Sequence, residues 1–317
     1  MMKRKKSVSV VIPNYKGKDM LKVLLPPLIS ILERSGSVSL YEIIVVDDAS
    51  EDDTENLLSV SFPIVRFLRN DRNLGFSKTI NRGVFSSSMD LVLLLNNDMF
   101  IADDFFEKTI PYFFKEDTFA VFSQIRDRDG EKIIEGNKRP FFKRGMLHYK
   151  EDADSKSGYT LYVCGGNALV DSQKIRDIKG FNELFSPFYF EDFDLSVRAW
   201  RLGWKCYYTS ETYCRHCHSV TIKSHFEESA VRRIFVRNKL LFSYLNEDRM
   251  GTFCLLFRVM FKILLSVLVP SRSKIEYRRS ACEFLKMYRS ANREKNAVYR
   301  KLPSIRSVCE TYFNSFL

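Results

Sequence analysis

The chain lacks a Gly-x-Gly-x-x-Gly run after its first apolar segment, and it lacks any Gly-Lys-Ser/Thr loop. Dinucleotide and P-loop nucleotide chemistry are thereby set aside. A phosphate ligand would need its charge neutralised from elsewhere, most simply by a divalent ion. Long apolar runs are missing too. No segment reaches the roughly 18–20 uncharged apolar residues of a spanning helix. The nearest, Phe253 to Val269, is interrupted by Arg258 and Lys262. These lie four apart, so a helix puts them on one side and leaves Leu255, Leu256, Met260, Ile263, Leu264 and Val267 elsewhere. The segment reads as a core-packing helix or as one lying in a membrane interface, with a true span as a third reading. Disulfide staples are not expected, because the seven cysteines (Cys164, Cys206, Cys214, Cys217, Cys254, Cys282 and Cys309) are odd in number and scattered. Reduced thiols in a cytosolic compartment follow. Nor is a secretory signal expected: the basic residues 3–6 precede only a short apolar run, Val8 to Ile12, before Pro13-Asn14-Tyr15-Lys16 breaks it.

What is present is a balanced body with basic ends. Of 317 residues, 50 are Lys or Arg and 39 are Asp or Glu, a net charge of +11. Residues 3–6 carry +4, Ser271 to Leu317 holds 11 basic and 4 acidic residues, and 35 of each sign remain between. The spread-out basic surface of a duplex binder is absent, and no nucleic-acid partner is expected. The apolar fraction of 45% and the 27 Phe exclude a disordered or fibrous chain. The length admits one large or two ordinary domains.

Short Val/Ile-rich runs at Ser7 to Ile12, Tyr41 to Val46, Ile64 to Leu68 and Leu91 to Leu95 read as strands. Helical spacing fills Lys18 to Arg34, Asp52 to Val60 and Phe76 to Phe85. The alternation predicts an α/β fold with a doubly wound, mostly parallel sheet flanked by helices. Right-handed crossovers then bring the strand C-termini to one edge, where open sheets bind ligands. Following each strand are Pro13-Asn14-Tyr15, Asp47-Asp48, Asn70 to Gly75, and Asn96-Asn97-Asp98. Further on, Asp103 to Phe122 reads as a helix and a strand, Arg126 to Ser157 as a variable excursion, and Tyr159 to Val170 as a strand. A helix opens near Glu191 and runs to about Leu202, and Trp204 to Tyr208 is another strand.

Three constellations carry chemistry, each with a plainer alternative. Asp98 at a strand end can ligate Mg²⁺ or Mn²⁺ beside a substrate diphosphate, or it can cap a helix over Ala102 to Phe106. Glu191, Asp192 and Asp194 place three carboxylates within four residues. Such crowding raises at least one pKa, which suits a general base, yet acids at a helix N-terminus also favour the macrodipole. Cys214-Arg215-His216-Cys217-His218 contains the haem-attachment pattern and half a zinc site. No second ligand pair accompanies it, which leaves a single histidine here, His216 or His218, as a metal ligand or a structural histidine.

In this order the motifs resemble the family 2 glycosyltransferases of GT-A fold, in a rhamnosyltransferase-like branch. The resemblance covers roughly Ser7 to Phe242. It rests on Val10 to Tyr15, Ile44 to Ser50, Asn73 to Phe76 with Asn81-Arg82-Gly83, and Leu94 to Asp98. It continues through Gly180-Phe181, Glu191 to Leu195, Arg201 to Trp204, His216 with Ser219 and Thr221, and Arg237-Asn238. The resemblance implies inverting sugar transfer from a nucleotide-diphosphate sugar donor to a saccharide or lipid-linked acceptor. It assigns Pro13, Asn14, Tyr15, Asp47, Asn73, Gly75, Phe76, Asn81 and Asn97 to the nucleotide, and Asp98 and His216 to Mg²⁺ or Mn²⁺. Gly165, Gly166, Asn167 and Trp204 fall to donor sugar and acceptor, and Asp192 with Glu191 to catalysis. Asn96 stands where the stricter Asp-x-Asp pattern has its first acid, which removes one negative charge. A catalytically silent nucleotide-sugar or partner-binding module is the alternative on that ground, and a sugar nucleotidyltransferase lacks its Gly-rich loop here.

On this reading residues 1–242 form the transferase domain, with a nucleotide half to about 100 and an acceptor and catalytic half over 101–242. Residues 243–317 form a basic, partly apolar helical appendage. The expected location is cytoplasmic, peripheral on the inner face of the membrane, with the appendage removable from a soluble, donor-binding body.

Overall fold

A computed structural model describes residues 4–143, 146–152, 155–217 and 227–313. His218, Ser219 and Thr221 of the sequence pattern lie outside the described residues. The first half alternates as expected: β1 (Lys6–Asn14), α1 (Lys18–Arg34), β2 (Val38–Asp47), α2 (Thr54–Ser61), β3 (Val65–Arg69), α3 (Phe76–Ser86) and β4 (Leu91–Leu95). All five residues of β4 are buried, as an uninterrupted apolar run flanked by helices on both faces requires. β3, β2, β1 and β4 lie side by side and parallel.

The second half is mixed. β5 (Met99–Ile101), α4 (Phe105–Thr109) and β6 (Thr118–Arg126) follow, then β7 (Ile133–Glu135), β8 (Asn137–Lys143), β9 (Met146–Asp152), β10 (Gly158–Tyr159) and β11 (Asn167–Asp171). After α5 (Ser172–Asp177) and α6 (Glu191–Arg201) comes the long β12 (Lys205–His216). The main sheet runs β10-β12-β6-β11-β4-β1-β2-β3. β11 is antiparallel to both neighbours, pairing Asn167 with Leu95. It therefore brings its N-terminal end, not its C-terminal end, to the edge where β1, β2 and β4 finish.

The stretch Arg126 to Ser157 is not a loose excursion. It contains an antiparallel hairpin, β8 with β9, that packs Phe142 and Leu147 against the main core. Tyr159 to Val170 is likewise not one strand: β10 and β11 flank a loop that carries Gly165 and Gly166.

Past residue 217 come α7 (Glu228–Asn246), α8 (Arg249–Leu268), α9 (Arg272–Lys286), α10 (Tyr288–Ala297) and α11 (Ile305–Phe313). A boundary after 242 does not separate them from the body. Ala291, Tyr299, Ile305, Cys309 and Phe313 share one apolar core with Trp200 of α6, whose indole contacts Tyr312 and Phe313 at 5.3 and 5.1 Å. The Arg201 guanidinium donates to the carbonyls of Tyr299, Leu302 and Pro303. The tail is a structural part of the domain, and a chain cut at 242 would expose that core. Only α8 stands partly apart. Its inner stripe of Leu255, Val259 and Ser266 is buried, while Phe253, Phe257, Phe261, Leu264 and Leu268 are each more than half exposed. Leu255 and Val259 join the main core, so this helix rests on the domain by one stripe and leaves its opposite face exposed.

Candidate active site

The strand-end loops are tied by a relay of side chains. Asn97 Nδ2 donates to Asn14 Oδ1 at 2.9 Å, and Asn14 Nδ2 donates to Asp47 Oδ1 at 2.9 Å. Ser50 donates its N–H and Oγ–H to the same Asp47 carboxylate at 2.8 and 2.6 Å. Asp47 is thus buried behind Asn14, which it orients. Gly17 permits the approach, since a Cβ there would lie 2.1 Å from Asn97 Nδ2 and 2.4 Å from Asn14 Oδ1. Asp48, which the sequence left without a role, accepts from Asn70 Nδ2 and from the N–H groups of Leu74 and Gly75 at 2.8–2.9 Å. That closes the loop bearing Asn73, Gly75 and Phe76 against the sheet edge. Gly75 has φ +82, a conformation that costs other residues strain. Pro13 and Tyr15 stay partly open, and Asn73 is exposed.

Across the sheet, β12 reaches the same edge and pairs His216 with Met99 of β5. This pairing sets His216 Nε2 3.1 Å from Asp98 Oδ2, and Cys217 N–H donates to the Asp98 carbonyl at 3.0 Å. The Asp98 carboxylate therefore faces His216 and does not cap the following helix. The pair can be tested as a cation site by its spacing. Two cis ligands about 2.1 Å from an octahedral ion stand about 3.0 Å apart, so an Mg²⁺ or Mn²⁺ ion fits this nitrogen–oxygen pair. Among the described residues no third His, Cys, Asp or Glu joins them.

Asp192 sits in the first turn of α6. Gly165 N–H donates to its Oδ2 at 3.0 Å, and a Cβ on Gly165 would lie 2.4 Å from Oδ1. The next residue, Gly166, accepts at its carbonyl from Asn96 N–H at 3.1 Å. One two-glycine loop thus joins the carboxylate on α6 to the Asn96–Asp98 turn. Burial raises the Asp192 carboxyl to about 7, against the Gly165 hydrogen bond and with Glu135 and Lys138 acting in opposite senses. Burial, and then the charge of Asp192, lift Glu191 well above the usual carboxylate range. Glu191 Oε2 and Asp192 Oδ1 are buried with no hydrogen-bond partner among the described residues. A raised, unpartnered carboxylate oxygen is poised to take a proton from a hydroxyl brought to it.

The third acid has a different task. Asp194 accepts from Arg198 Nε at 2.8 Å and from Tyr299 Oη at 2.6 Å, fully buried, and so locks α6 to the C-terminal segment. The approach to α6 is held in an unusual conformation: Tyr189 and Phe190 both have φ 74. Asn238 Nδ2 grips that turn through the carbonyls of Phe185, Phe188 and Tyr189, and Arg237 donates to Ser186. The strained backbone persists because these bonds over-determine it.

Of the residues assigned to ligands by resemblance, Asn81 and Trp204 are placed elsewhere, and Asn167 is buried at the ligand edge. Asn81 exchanges hydrogen bonds with the Phe181 backbone at 2.8 and 2.9 Å, a brace between α3 and the Gly180 turn. Asn167 is fully buried and donates to Ser123. Trp204 stacks on Phe119 just before β12, at the sheet edge opposite His216. The sequence reading missed Gly17, and the role of Gly165 beside Asp192 emerges only in the fold. Nothing in the sequence announced the buried Lys138, which a hairpin carries to Glu135 and Glu151 at 2.9 and 3.2 Å.

The O-antigen chain rhamnosyltransferase RfbN of Salmonella typhimurium is 21% identical over 226 residues, 69% of each chain. The dolichyl-phosphate beta-glucosyltransferase of Mus musculus is 33% identical over 101 residues, 29% of this chain and 31% of that protein. Among solved structures, GalNAc-T7 with UDP, GalNAc and Mn²⁺ superposes with TM-score 0.63 at 14% identity, covering 96% of this chain and 56% of that one. S. aureus TarS 1-349 in complex with UDP-GlcNAc gives TM-score 0.59 at 14% identity, covering 98% and 92%. Residues 9–179, more than half of the chain, match the family described as Glycosyl transferase family 2. The chain belongs to glycosyl transferase family 2 and has the GT-A fold.

Proposed function

We propose that this glycosyltransferase moves a hexose or deoxyhexose from a nucleoside-diphosphate sugar to an acceptor hydroxyl by single displacement, inverting the anomeric centre. The observation that carries the reading is Asp192 Oδ1, buried without a partner, joined by Gly165–Gly166 to the turn that holds Asp98. The nucleotide lies along Pro13 to Tyr15, the Asn73–Phe76 loop and Asn97. Asp192 takes the acceptor proton while the acceptor oxygen bonds to the anomeric carbon from the face opposite the diphosphate, and the carbon–oxygen bond to the donor breaks. Glu191 beside it keeps the pair's proton affinity high. Asp98 and His216 would hold the divalent ion, Mg²⁺ or Mn²⁺, which when bound supplies positive charge for the departing diphosphate. Holding both substrates in line supplies much of the acceleration.

The RfbN relative supports rhamnosyl transfer as the specific branch, and the Mn²⁺-bound GalNAc-T7 structure supports a divalent ion. Location is part of the same reading. The outward apolar stripe of α8 and the basic α9 and α10 support peripheral binding to an anionic cytoplasmic leaflet, with about 1 kcal/mol per Lys or Arg near the surface. Asn96 favours a second reading, a silent module that binds donor without turnover. Mn²⁺-dependent hydrolysis of a panel of nucleotide sugars separates the two: release of nucleoside diphosphate from one member supports the enzyme, and binding without release supports the silent module.

A further inference from the structure

α6 begins with a residue that has little intrinsic reason to start a helix. Its N-cap, Phe190, has φ 74 and ψ −9 and gives no side-chain cap to the first-turn N–H groups. Ser, Thr, Asp or Asn in an extended conformation is the usual choice there. Tyr189 before it also has φ 74. Two successive bulky residues in the left-handed region are unfavourable and persist only where neighbours impose them. Glu191 and Asp192 come next in the chain, so this turn sets the direction in which the base leaves the backbone. Gly165 N–H fixes Asp192 Oδ2, while Oδ1 has no partner among the described residues. The place of the reacting oxygen therefore follows the start of α6.

One stripe of α7 imposes the turn. Phe235, Asn238 and Phe242 are spaced by three and four residues, which puts them on one helix face. Phe235 packs on Tyr189 and Phe190 at 5.8 and 5.3 Å between ring centres. Phe242 packs on Phe190 and Phe193 at 5.8 and 4.3 Å, so the two rings clamp the residues on either side of the base. Asn238, between them, is fully buried. Arg237 Nε donates to its Oδ1 at 2.9 Å, which turns the amide so that Nδ2 faces the turn. Nδ2 then donates to the carbonyls of Phe185, Phe188 and Tyr189 at 2.7, 2.9 and 2.8 Å. A carboxylate of the same shape would have no donor to offer them. On its other side the turn meets the loop assigned to the nucleotide, where Phe76 N–H donates to the Pro187 carbonyl at 3.3 Å. That loop has its own anchor, Asp48 on the N–H groups of Leu74 and Gly75.

Resting on the glycosyl-transfer reading, we propose that Asn238 is a positioning residue for the base: it holds the Phe188–Phe190 turn in its left-handed form and thereby aims Asp192 Oδ1 at the acceptor hydroxyl. Arg237 acts one step further out, by orienting the Asn238 amide and by donating to the Ser186 carbonyl. Neither side chain touches the reacting atoms. Released from Asn238, Tyr189 and Phe190 return to negative φ and carry Glu191 and Asp192 away from the Gly165 N–H. The base then loses its aim and gains water, while the nucleotide loop keeps its hold on Asp48.

The test compares Asn238→Ala and Asn238→Asp with the unaltered full chain, using Mn²⁺ and whichever UDP-, GDP- or dTDP-sugar the unaltered chain hydrolyses. In both variants kcat should fall about 10- to 100-fold while the donor KM stays within about threefold. Asn238→Asp fills the same space without the N–H groups, so near-normal turnover in it would show that packing suffices and overturns the proposal. The second readout does not depend on turnover. With aspartate labelled by ¹³C at the carboxyl, and Asp192→Asn for assignment, Asp192 should titrate at about 7 in the unaltered chain. In Asn238→Ala, where water reaches the carboxylate, it should titrate about one pH unit lower. The groups that face it are the same in both proteins: Glu191 on its own helix, Glu135 of β7, Lys138 of β8, and Cys164 beside Gly165. An unchanged titration, with a loss of turnover that only tracks the folded fraction, makes Asn238 a brace of the fold and overturns the proposal. Should Asn238→Ala not fold, Arg237→Gln carries the same two readouts, with kcat expected to fall about threefold or more. Hydrolysis by the unaltered chain tests the underlying reading separately. Hydrolysis with kcat and titration unmoved in Asn238→Ala sinks only this proposal, and a moved titration without hydrolysis sinks only the transfer reading.

Discussion

Asp192→Asn should stabilise the fold at pH 8 while removing turnover, and the two effects have one cause. Burial lifts the Asp192 carboxyl from an ordinary 3.8 to about 7. A folded-state pKa above the unfolded one means the wild type's stability from this group is intact below pH 3.8 and is lost as pH rises through 7. About three pKa units at 1.36 kcal/mol each bound the cost of the charged form at pH 8 at about 4 kcal/mol. An amide does not titrate, so the variant escapes that cost. Its oxygen can still accept from Gly165 N–H, but its NH₂ leaves a buried donor where the wild type leaves Oδ1, worth about 1–3 kcal/mol the other way. The net gain is about 1–3 kcal/mol at pH 8 and falls to zero or below near pH 4. For a chain of this size, 1 kcal/mol corresponds to about 1.5 °C, so Tm should rise by about 2–5 °C at pH 8. Turnover should fall by about two to four orders of magnitude, and donor binding should persist. Thermal unfolding of both proteins from pH 4 to 8, beside donor turnover, reads this out. An unchanged or lower Tm at pH 8, or near-normal turnover, refutes the assignment of the buried base.

Asp98→Ala should abolish Mn²⁺-dependent donor binding and His216→Ala should weaken it about tenfold. Calorimetry giving wild-type affinity in both would remove the pair as a metal site. Gly165→Ala places a methyl 2.4 Å from Asp192 Oδ1, so turnover should fall at least a hundredfold with the chain still folded; full turnover would mean the carboxylate is free to move. Phe257→Glu with Leu264→Glu alters only exposed side chains of α8 and should end sedimentation with anionic vesicles without lowering Tm. Retained sedimentation would contradict the interfacial role. Truncation at 242 should yield an unfolded or aggregated protein, because Trp200, Arg201 and Asp194 lose the segment that covers and bonds them; a soluble, donor-binding product would show that segment dispensable.

The parallel half of the sheet was readable because each strand there is a short apolar run bounded by polar residues. Its ligand edge followed from handedness alone. The reversed β11 was not readable, since a buried run looks the same in either direction and only its partners β4 and β6 orient it. The same holds within the site. Asp98 and Asp192 were legible as acids at element ends. Asn81 was named for the nucleotide by resemblance, but an amide serves equally well as contact and as brace, and its exchange with the Phe181 backbone is a brace. Trp204 looked close to the site by its motif, yet it precedes a 12-residue strand whose far end carries His216.

The sequence by itself determined the α/β alternation, the carboxylates at strand and helix ends, and the concentration of basic charge at the two termini. Those are local properties, fixed by side-chain period and composition. Tertiary structure decided what each polar group faces. It paired His216 with Asp98 across 118 residues, set Gly165 against Asp192 across 27, and packed the basic tail onto the helix that holds the base. A hydrogen bond or a raised pKa depends on atoms a few ångströms away in space, and neighbours in the chain do not fix those. The +11 of the sequence is thus divided by the fold: part of the tail's charge is buried as bracing, Lys295 among it, and part faces outward beside α8.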